Sequence, residues 1–213
     1  MAVNFFNKLN SIEAPPYLAE MYAGIIAEGK KSSGLARLGE NRSDLKYDPE
    51  CLREHGAIAC NEGELLYKMV RYFRPKNILE IGTWFGTSAN FMAHALSDAE
   101  IDGTVYTCDK NNLFVAPHEL IEYHNCLSED LLKDLRRRAV QIDMVFTDGR
   151  LYPKDAKRIK SLMPNVLFST HDYTGKEKGW RNVRALKKTY DNYDFYKDGG
   201  MMAFMIDREL GDA

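Results

Sequence analysis

The chain has 213 residues, of which 45% are hydrophobic, and this is enough for one domain with a substantial core. Its 29 Lys and Arg residues nearly balance 31 Asp and Glu residues, so the net charge of −2 offers no general attraction for nucleic acid or an anionic membrane. A small molecule is therefore the expected partner.

Four cysteines are scattered without a CxxC pair, which is typical of a reduced cytoplasmic protein: Cys51, Cys60, Cys108 and Cys126. The first residues, MAVNFFNKLNSIEAPP, show neither a basic leader nor a long apolar stretch. No segment approaches the roughly 18 consecutive apolar residues of a membrane span. We therefore expect a cytoplasmic protein that does not enter a membrane.

Residues 1–60 have weak periodicity, a break at Pro15 and Pro16, and a polar stretch, GKKSSGLARLGENRSD, that predicts an exposed loop. The hydrophobic pattern becomes clear only after this segment. We therefore divide the chain into an N-terminal extension, residues 1–60, and a main domain, residues 61–213.

The main domain begins with a predicted helix at 62–73, where Asn61 and Glu64 resemble a capping box. Short apolar runs then alternate with helical patterns, which indicates a mostly parallel sheet covered by helices on both faces. The predicted strands are 78–81, 104–108, 120–123, 142–146 and 166–169, and the predicted helices are 87–96, 154–162 and 180–190. At the end, runs at 193–196 and 202–206 joined by KDGGM predict a hairpin with one antiparallel strand.

The first predicted strand leads into a glycine turn, in the sequence NILEIGTWFGTS. In an open α/β sheet, ligands bind beyond the carboxyl ends of the strands, and Gly82 and Gly86 lie at such an end. A dinucleotide site needs the middle glycine of GxGxxG, but Trp84 stands there, and no lysine precedes Thr87 as a P-loop requires. A pyrophosphate is therefore not the expected ligand.

The second predicted strand ends in VYTCDKN, which places Asp109 at the spacing from Gly82 where an acid accepts both hydroxyls of a ribose. Together, the turn and the acid predict a nucleoside ligand without phosphates in the loop, namely S-adenosylmethionine. The alternative is that the glycines only form a tight turn and that Asp109 caps the following segment.

The stretch LEIGTWFGTSA resembles the first motif of class I S-adenosylmethionine-dependent methyltransferases, in the catechol O-methyltransferase-like and macrocin O-methyltransferase-like groups. The resemblance extends from about Asn61 to Ile206. It implies a Rossmann-like, doubly wound α/β fold with seven strands in the order 3-2-1-4-5-7-6 and strand 7 antiparallel. It also implies that the N-terminal extension is a lid or a contact within a homodimer.

The same resemblance assigns contacts with the cofactor to particular residues. Asp109 would hold the ribose hydroxyls, Ser128 in NCLSED would border the adenine with Cys126 and Leu127, and Asp148 would also contact the cofactor. The methionine and ribose side would be lined by Glu80, Gly82, Thr83, Trp84, Gly86 and Ser88.

Two further strand ends carry acids: VFTDGR supplies Asp148, and FSTHDY supplies His171 and Asp172. Parallel strands bring these groups to one edge of the sheet. Two carboxylates suit Mg²⁺ or another divalent cation, which would lower the pKa of a substrate hydroxyl, and metal-dependent O-methyltransferases carry acids at the same strand ends. Alternatively, Asp148 caps the next helix and Asp172 pairs with a lysine such as Lys176.

Related sequences commonly read DGxHxY after the fourth strand, whereas here DGRLYP has Leu151 at the histidine position and no lysine of the catechol type. His171 is therefore the candidate general base, unless it is structural, and Lys154 and Tyr152 are weaker candidates. Arg150 would instead hold a carboxylate or phosphate of the substrate.

These patterns predict an enzyme that moves a methyl group from S-adenosylmethionine to a hydroxyl oxygen of a small molecule, with Asp148, His171 and Asp172 as catalytic residues. Two alternatives stay open: a nicotinamide-dependent oxidoreductase of similar architecture, and a non-catalytic partner subunit that retains the cofactor pocket. The acceptor hydroxyl could belong to a sugar, phenol, polyketide or amino acid, and the sequence does not separate O- from N-methylation.

Overall fold

The structure is a computed structural model that describes residues 7–32, 57–111, 115–163, 167–173, 178–191, 193–197 and 202–206. The helices are α1 (Tyr17–Ser32), α2 (Cys60–Phe73), α3 (Thr87–Asp98), α4 (Ser128–Arg137), α5 (Pro153–Leu162) and α6 (Lys178–Lys187). The strands are β1 (Asn77–Ile81), β2 (Thr104–Cys108), β3 (Ile121–His124), β4 (Met144–Thr147), β5 (Leu167–Thr170), β6 (Asp194–Lys197) and β7 (Ala203–Ile206).

The strands form one sheet in the order β3-β2-β1-β4-β5-β7-β6. Strands β1 to β5 are parallel, and β7 is antiparallel to both β5 and β6. In this register Ile81 pairs with both Cys108 and Thr147, so three neighbouring strands end at the same edge. The predicted Rossmann-like fold and its strand order are confirmed.

Alternate residues of the central strands enter different cores, as expected for a sheet covered on both faces. Ile78 and Phe146 pack with α1, α2 and α3 on one face. Leu79 and Val145 pack with α4, α5 and α6 on the other. The carboxyl edge of the sheet is left between the two helical layers, where the connecting loops form the site.

The start of α2 differs from the prediction. The helix begins at Cys60, and the backbone N–H of Ala59 donates to the Glu62 carboxylate at 2.7 Å. The predicted capping by Asn61 and Glu64 is therefore wrong, because the helix starts two residues earlier and Glu62 is the residue whose side chain reaches back.

Other boundaries move by a few residues. Strand β4 begins at Met144 instead of residue 142, since the Asp143 carboxylate accepts the backbone N–H groups of Lys76 and Asn77 at 3.0 and 2.9 Å and ends the pairing there. Helix α6 occupies Lys178–Lys187 instead of 180–190. The KDGGM turn lies almost wholly outside the described residues, whereas the hairpin strands on both sides of it are present.

The described part of the N-terminal extension packs on the main domain. Leu18 of α1 is fully buried in the same core as Phe91. The hydroxyl of Tyr17 donates to Asp98 at the end of α3 at 2.6 Å, and the Tyr67 hydroxyl donates to the same carboxylate at 2.7 Å. Helix α1 continues to Ser32, so the predicted exposed loop cannot begin at residue 29. The lid or homodimer role of this segment stays a prediction.

Within the described residues, no helix combines the length and the apolar character that crossing a membrane requires.

Candidate active site

The glycine turn after β1 needs glycine for two separate reasons. Gly82 and Gly86 have φ values of 99° and 76°, in the left-handed region that side chains disfavour. In addition, a Cβ atom on Gly82 would lie 2.7 Å from the backbone nitrogen of Gly149, which follows β4. The ends of β1 and β4 therefore approach each other closely, and their backbones form the floor of a cleft.

The turn is supported from behind by α1. Phe85 is fully buried against Ile25 and Ile26, and a Cβ atom on Gly29 would lie only 2.5 Å from the Phe85 ring. The neighbouring Trp84 has φ 49° and lines the cleft. The N-terminal helix thus fixes the glycine turn in place.

Asp109 connects the turn to the end of β2. Its carboxylate accepts the backbone N–H of Trp84 at 3.1 Å and that of Asn111 at 2.8 Å. An ionised carboxylate has about four acceptor positions, so two stay available for a ligand with a pair of hydroxyls. This arrangement fits the ribose role predicted for Asp109.

The cleft has a volume of about 560 Å³, within the range of roughly 300–1,000 Å³ of small-molecule sites. Of the predicted cofactor residues, five line it: Gly82, Trp84, Asp109, Ser128 and Asp148. Further lining residues include Lys110, Leu127, Arg150, Tyr152 and Lys178.

Three other predicted cofactor residues, Glu80, Thr83 and Ser88, are buried behind this wall. Glu80 accepts hydrogen bonds from the hydroxyls of Ser88 and Thr107, and the hydroxyls of Thr83 and Thr107 lie 2.6 Å apart. Burial raises the pKa of the Glu80 carboxyl to about 8, against the opposing effect of the two hydroxyl donors. These side chains shape the turn, and their direct contact with a cofactor stays a prediction.

Gly86 and Ser128 also have structural partners. Gly86 is buried as the residue before α3, and its carbonyl accepts the backbone N–H of Asn90 at 2.9 Å. The Ser128 hydroxyl donates to the Asp155 carboxylate at 3.1 Å while the residue lines the cleft. Helix α5 therefore holds Ser128 at the cleft, and its contact with the adenine stays a prediction.

Beside Asp148, which lines the cleft, His171 is surrounded by carboxylates. Its Nδ1 atom lies 3.1 Å from Oδ1 of Asp148 and 3.2 Å from Oδ1 of Asp172, and its Nε2 atom lies 3.0 Å from Oε2 of Glu62. Burial alone would lower the pKa of His171, but the hydrogen bonds and charges of Asp148 and Glu62 outweigh it and raise the pKa to about 10.

This geometry bears on the predicted general base. Carboxylates face both ring nitrogens, and their hydrogen bonds and charges raise the pKa of the imidazole to about 10, which favours the protonated ring at neutral pH. A protonated ring has no lone pair with which to accept a proton from a substrate. The catalytic role of His171 stays a prediction that the arrangement disfavours.

Lys178, the first residue of α6, completes the cluster. Its Nζ atom lies 2.7 Å from Oδ1 of Asp148 and 3.0 Å from Oδ2 of Asp172. Burial opposes the charge of Lys178, yet the two carboxylates raise its pKa, while His171 and Lys178 hold the pKa of Asp148 low against the effect of its burial. Asp172 thus pairs with Lys178, while Lys176 lies outside the described residues.

The predicted metal site can be tested against this arrangement. Ligand atoms of Asp148, His171 and Asp172 all lie within 4.8 Å of one another, a spacing that suits an ion. However, the ammonium of Lys178 already contacts both carboxylates, and Nδ1 of His171 lies at hydrogen-bond distance from both of them as well. As arranged, the residues do not fit a divalent cation.

The weaker candidates for a base have separate positions. Tyr152 and Arg150 line the cleft, whereas Lys154 forms an ion pair with Glu129 on α4. Leu151 is 5% exposed and packs in the core beneath the cleft.

Sequence reasoning missed Glu62, Lys178 and Asn182. Asn182 is 1% exposed, accepts the backbone N–H of Leu151 at 2.9 Å and donates to the carbonyl of Gly149 at 2.9 Å. It therefore holds the loop after β4 against α6. The sequence does not reveal that Glu62 and Asn182 are partners of the site, because they lie 109 residues from His171 and 31 residues from Leu151. Lys178 follows Asp172 by only six residues, but the sequence does not show that the start of α6 turns back toward the acids.

Comparison with known proteins agrees with this geometry. Residues 79–173, from β1 to the acid cluster, match the family described as Methyltransferase domain. Among curated protein sequences, none matches the chain.

Solved structures share the fold of this chain. The O-methyltransferase TomG of Streptomyces achromogenes, in complex with SAM, is 21% identical with a TM-score of 0.58, and the match covers 84% of this chain and 98% of TomG. The SAH-bound methyltransferase PaMTH1 of Podospora anserina is 16% identical with a TM-score of 0.58, covering 97% and 94%. The O-methyltransferase of Bacillus cereus in complex with SAH is 16% identical with a TM-score of 0.53, covering 87% and 99%.

Together, the family match and the shared fold confirm the resemblance to class I S-adenosylmethionine-dependent methyltransferases. They do not favour a nicotinamide-dependent oxidoreductase or a non-catalytic partner subunit.

Proposed function

We propose that this chain transfers a methyl group from S-adenosylmethionine to a hydroxyl oxygen of a small molecule. The observation that carries the proposal is a single cleft lined by the Gly82 turn, by Asp109 and by the charged pair of Asp148 and Lys178. TomG and the Bacillus cereus protein, which share this fold, are O-methyltransferases.

The lining residues fit the nucleoside end of such a donor. Gly82 offers backbone without a side chain, Asp109 has acceptor positions for two hydroxyls, and Ser128 lines the same cleft. When bound there, S-adenosylmethionine supplies a methyl group whose transfer forms an O–C bond, breaks the C–S bond and leaves a neutral thioether, while the hydroxyl proton is lost to water.

The chain contributes mainly by holding the reacting groups. Helix α1 fixes the turn through Phe85, and Asn182 fixes the loop after β4, so both walls of the cleft are rigid. Positioning of two reactants can supply a large part of a rate enhancement. No step through a metal ion is needed in this account.

The cleft also indicates the charge of the acceptor. Arg150 and Lys110 are exposed and line the cleft, and neither has an ion pair among those seen in the described residues. Guanidinium and ammonium groups at a cleft bind carboxylates and phosphates. We therefore propose that the acceptor carries an anionic group held by Arg150.

The test is an assay with methyl-labelled S-adenosylmethionine and a panel of hydroxyl and amine acceptors, each with and without a carboxylate or phosphate. Mass spectrometry of the product separates O- from N-methylation. We expect an O-methylated anionic product, and Arg150→Ala should raise KM for it more than it lowers kcat. Tight binding of a nicotinamide cofactor without binding of S-adenosylmethionine would overturn the proposal.

A further inference from the structure

Lys178 lies between two acids at the edge of the sheet. The Nζ atom of Lys178 bridges Asp148 and Asp172 at 2.7 and 3.0 Å, which is hydrogen-bond distance to both carboxylates. These carboxylates come from the ends of two neighbouring strands, β4 and β5, and Lys178 comes from α6. A metal ion bound here would occupy the same position, as a cation shared by two acids at one edge of the sheet.

The fold fixes this lysine in place. Gly179 follows it, and a Cβ atom there would clash with the carbonyl oxygen of His171 and lie 2.7 Å from the carbonyl carbon of Asp172. The first turn of α6 is therefore pressed against the end of β5. Asp172 itself has φ 55°, in the left-handed region that residues other than glycine seldom adopt. The backbone is therefore constrained at Asp172 by its conformation and next to Lys178 by the close approach of Gly179.

The ammonium has three N–H donors. Two of them meet Asp148 and Asp172, and among the described residues no third partner is seen. The Lys178 side chain is 33% exposed and lines the cleft. Its third N–H can therefore meet a group bound in the cleft.

A divalent cation would compete for the same atoms. Mg²⁺ and Mn²⁺ bind through carboxylate oxygens, and Lys178 already contacts Oδ1 of Asp148 and Oδ2 of Asp172. An ion placed there would meet the ammonium of Lys178 at short range, and like charges at that distance repel strongly.

We propose that the Lys178 ammonium is the cation of this site: it takes the place of a divalent metal ion between Asp148 and Asp172 and donates its third N–H to the acceptor oxygen. The first part stands on the geometry alone, and the contact with the acceptor rests on the proposed function.

The first experiment measures Mn²⁺ binding by electron paramagnetic resonance, with no acceptor present. The parent should bind no Mn²⁺ at the cluster. Lys178→Met should gain at least about tenfold in affinity, since each 1.4 kcal/mol of repulsion removed is a factor of ten. Adding Asp172→Asn to Lys178→Met should abolish the gain.

Two variants complete this test. Lys188→Met removes an exposed lysine just after the same helix and should gain nothing. Lys178→Gln is a second neutral variant in case Lys178→Met does not fold, and the melting temperature of each variant checks folding. Equal Mn²⁺ affinity in the parent and both neutral variants, or loss of parental activity in chelator with recovery on added Mn²⁺, would overturn the proposal.

The proposed contact between Lys178 and the acceptor is tested separately, by steady-state kinetics. Lys178→Met should lower kcat/KM for the acceptor at least about tenfold with unchanged affinity for S-adenosylhomocysteine, because one charged hydrogen bond is worth that much. Lys178→Arg should keep metal exclusion and recover part of the rate. Unchanged kcat/KM in Lys178→Met would contradict the proposed contact between Lys178 and the acceptor. If the parent methylates no acceptor, the proposed function fails while the Mn²⁺ result still decides the metal question.

Discussion

The Nε2 atom of His171 lies 3.0 Å from Oε2 of Glu62, although the two residues are 109 positions apart in sequence. Both side chains are 9% exposed. Glu62 also accepts the backbone N–H of Ala59 at 2.7 Å, so one carboxylate caps α2 and supports the histidine at the end of β5. Through His171, this contact connects the first helix of the main domain with Asp148, which lines the cleft.

Glu62→Gln should therefore destabilise the protein. The amide can still accept from Ala59, but it no longer neutralises the buried imidazolium of His171. We expect a loss of about 1–3 kcal/mol in the free energy of unfolding, as for a buried group that loses a charged partner. Urea unfolding at neutral pH measures the loss. Glu64→Gln, on the same helix and half-buried, is the matched control and should cost clearly less.

The stability should also depend on pH through His171. The fold raises the pKa of this group from 6.5 to about 10, so its contribution is complete below pH 6.5 and is lost as the pH rises through 10. The stability advantage of the parent over His171→Gln should therefore shrink across this window. Urea unfolding of both proteins at several pH values tests it, with His124→Gln at the end of β3 as control. A constant difference between parent and His171→Gln would show that the ring is not held protonated.

Much of the fold could be predicted from local sequence. Alternation at Ile78 and Leu79 reveals a strand covered on both faces, and the glycines at 82 and 86 mark the turn because only glycine tolerates that backbone easily. The positions of Asp109 and Asp148 then follow, since parallel strands end at one edge.

The partners within the site could not be predicted in the same way. Glu62 meets His171 only because the first turn of α2 lies beside the residue that follows β5. Lys178 reaches the acids only because α6 begins against that strand end. The burial of Glu80 could not be predicted either, because its motif does not reveal whether this side chain faces a ligand or lies beneath the turn.

Asp109→Ala should weaken binding of S-adenosylhomocysteine. The change removes the acceptors proposed for the ribose hydroxyls and also frees the backbone N–H of Trp84, so we expect at least about a tenfold increase in Kd. Isothermal titration measures the affinity, and the ligand-induced rise in melting temperature should shrink in parallel. Asp102→Ala, an exposed acid before β2, is the control. Parental affinity in Asp109→Ala would show that the nucleoside does not lie at the end of β2.

Gly82 and Gly24 differ in the space around them, because Gly82 is crowded by backbone atoms and Gly24 is not. Gly82 has φ 99°, and an added Cβ would meet backbone atoms of Gly149 and Asp148 at 2.7 and 3.1 Å, where neither strand end can move aside cheaply. Gly82→Ala should therefore cost about 1–3 kcal/mol of stability through backbone strain and should abolish binding of S-adenosylhomocysteine.

Gly24 lies within α1, and an added Cβ there would have no atom within 4 Å. Gly24→Ala should therefore leave ligand affinity unchanged and stabilise the helix by up to about 1 kcal/mol, the difference between the helix propensities of alanine and glycine. Urea unfolding and isothermal titration on both variants make the comparison. If Gly82→Ala keeps both its stability and its affinity, the cofactor does not depend on the close approach of β1 and β4, and the binding site must lie elsewhere in the cleft.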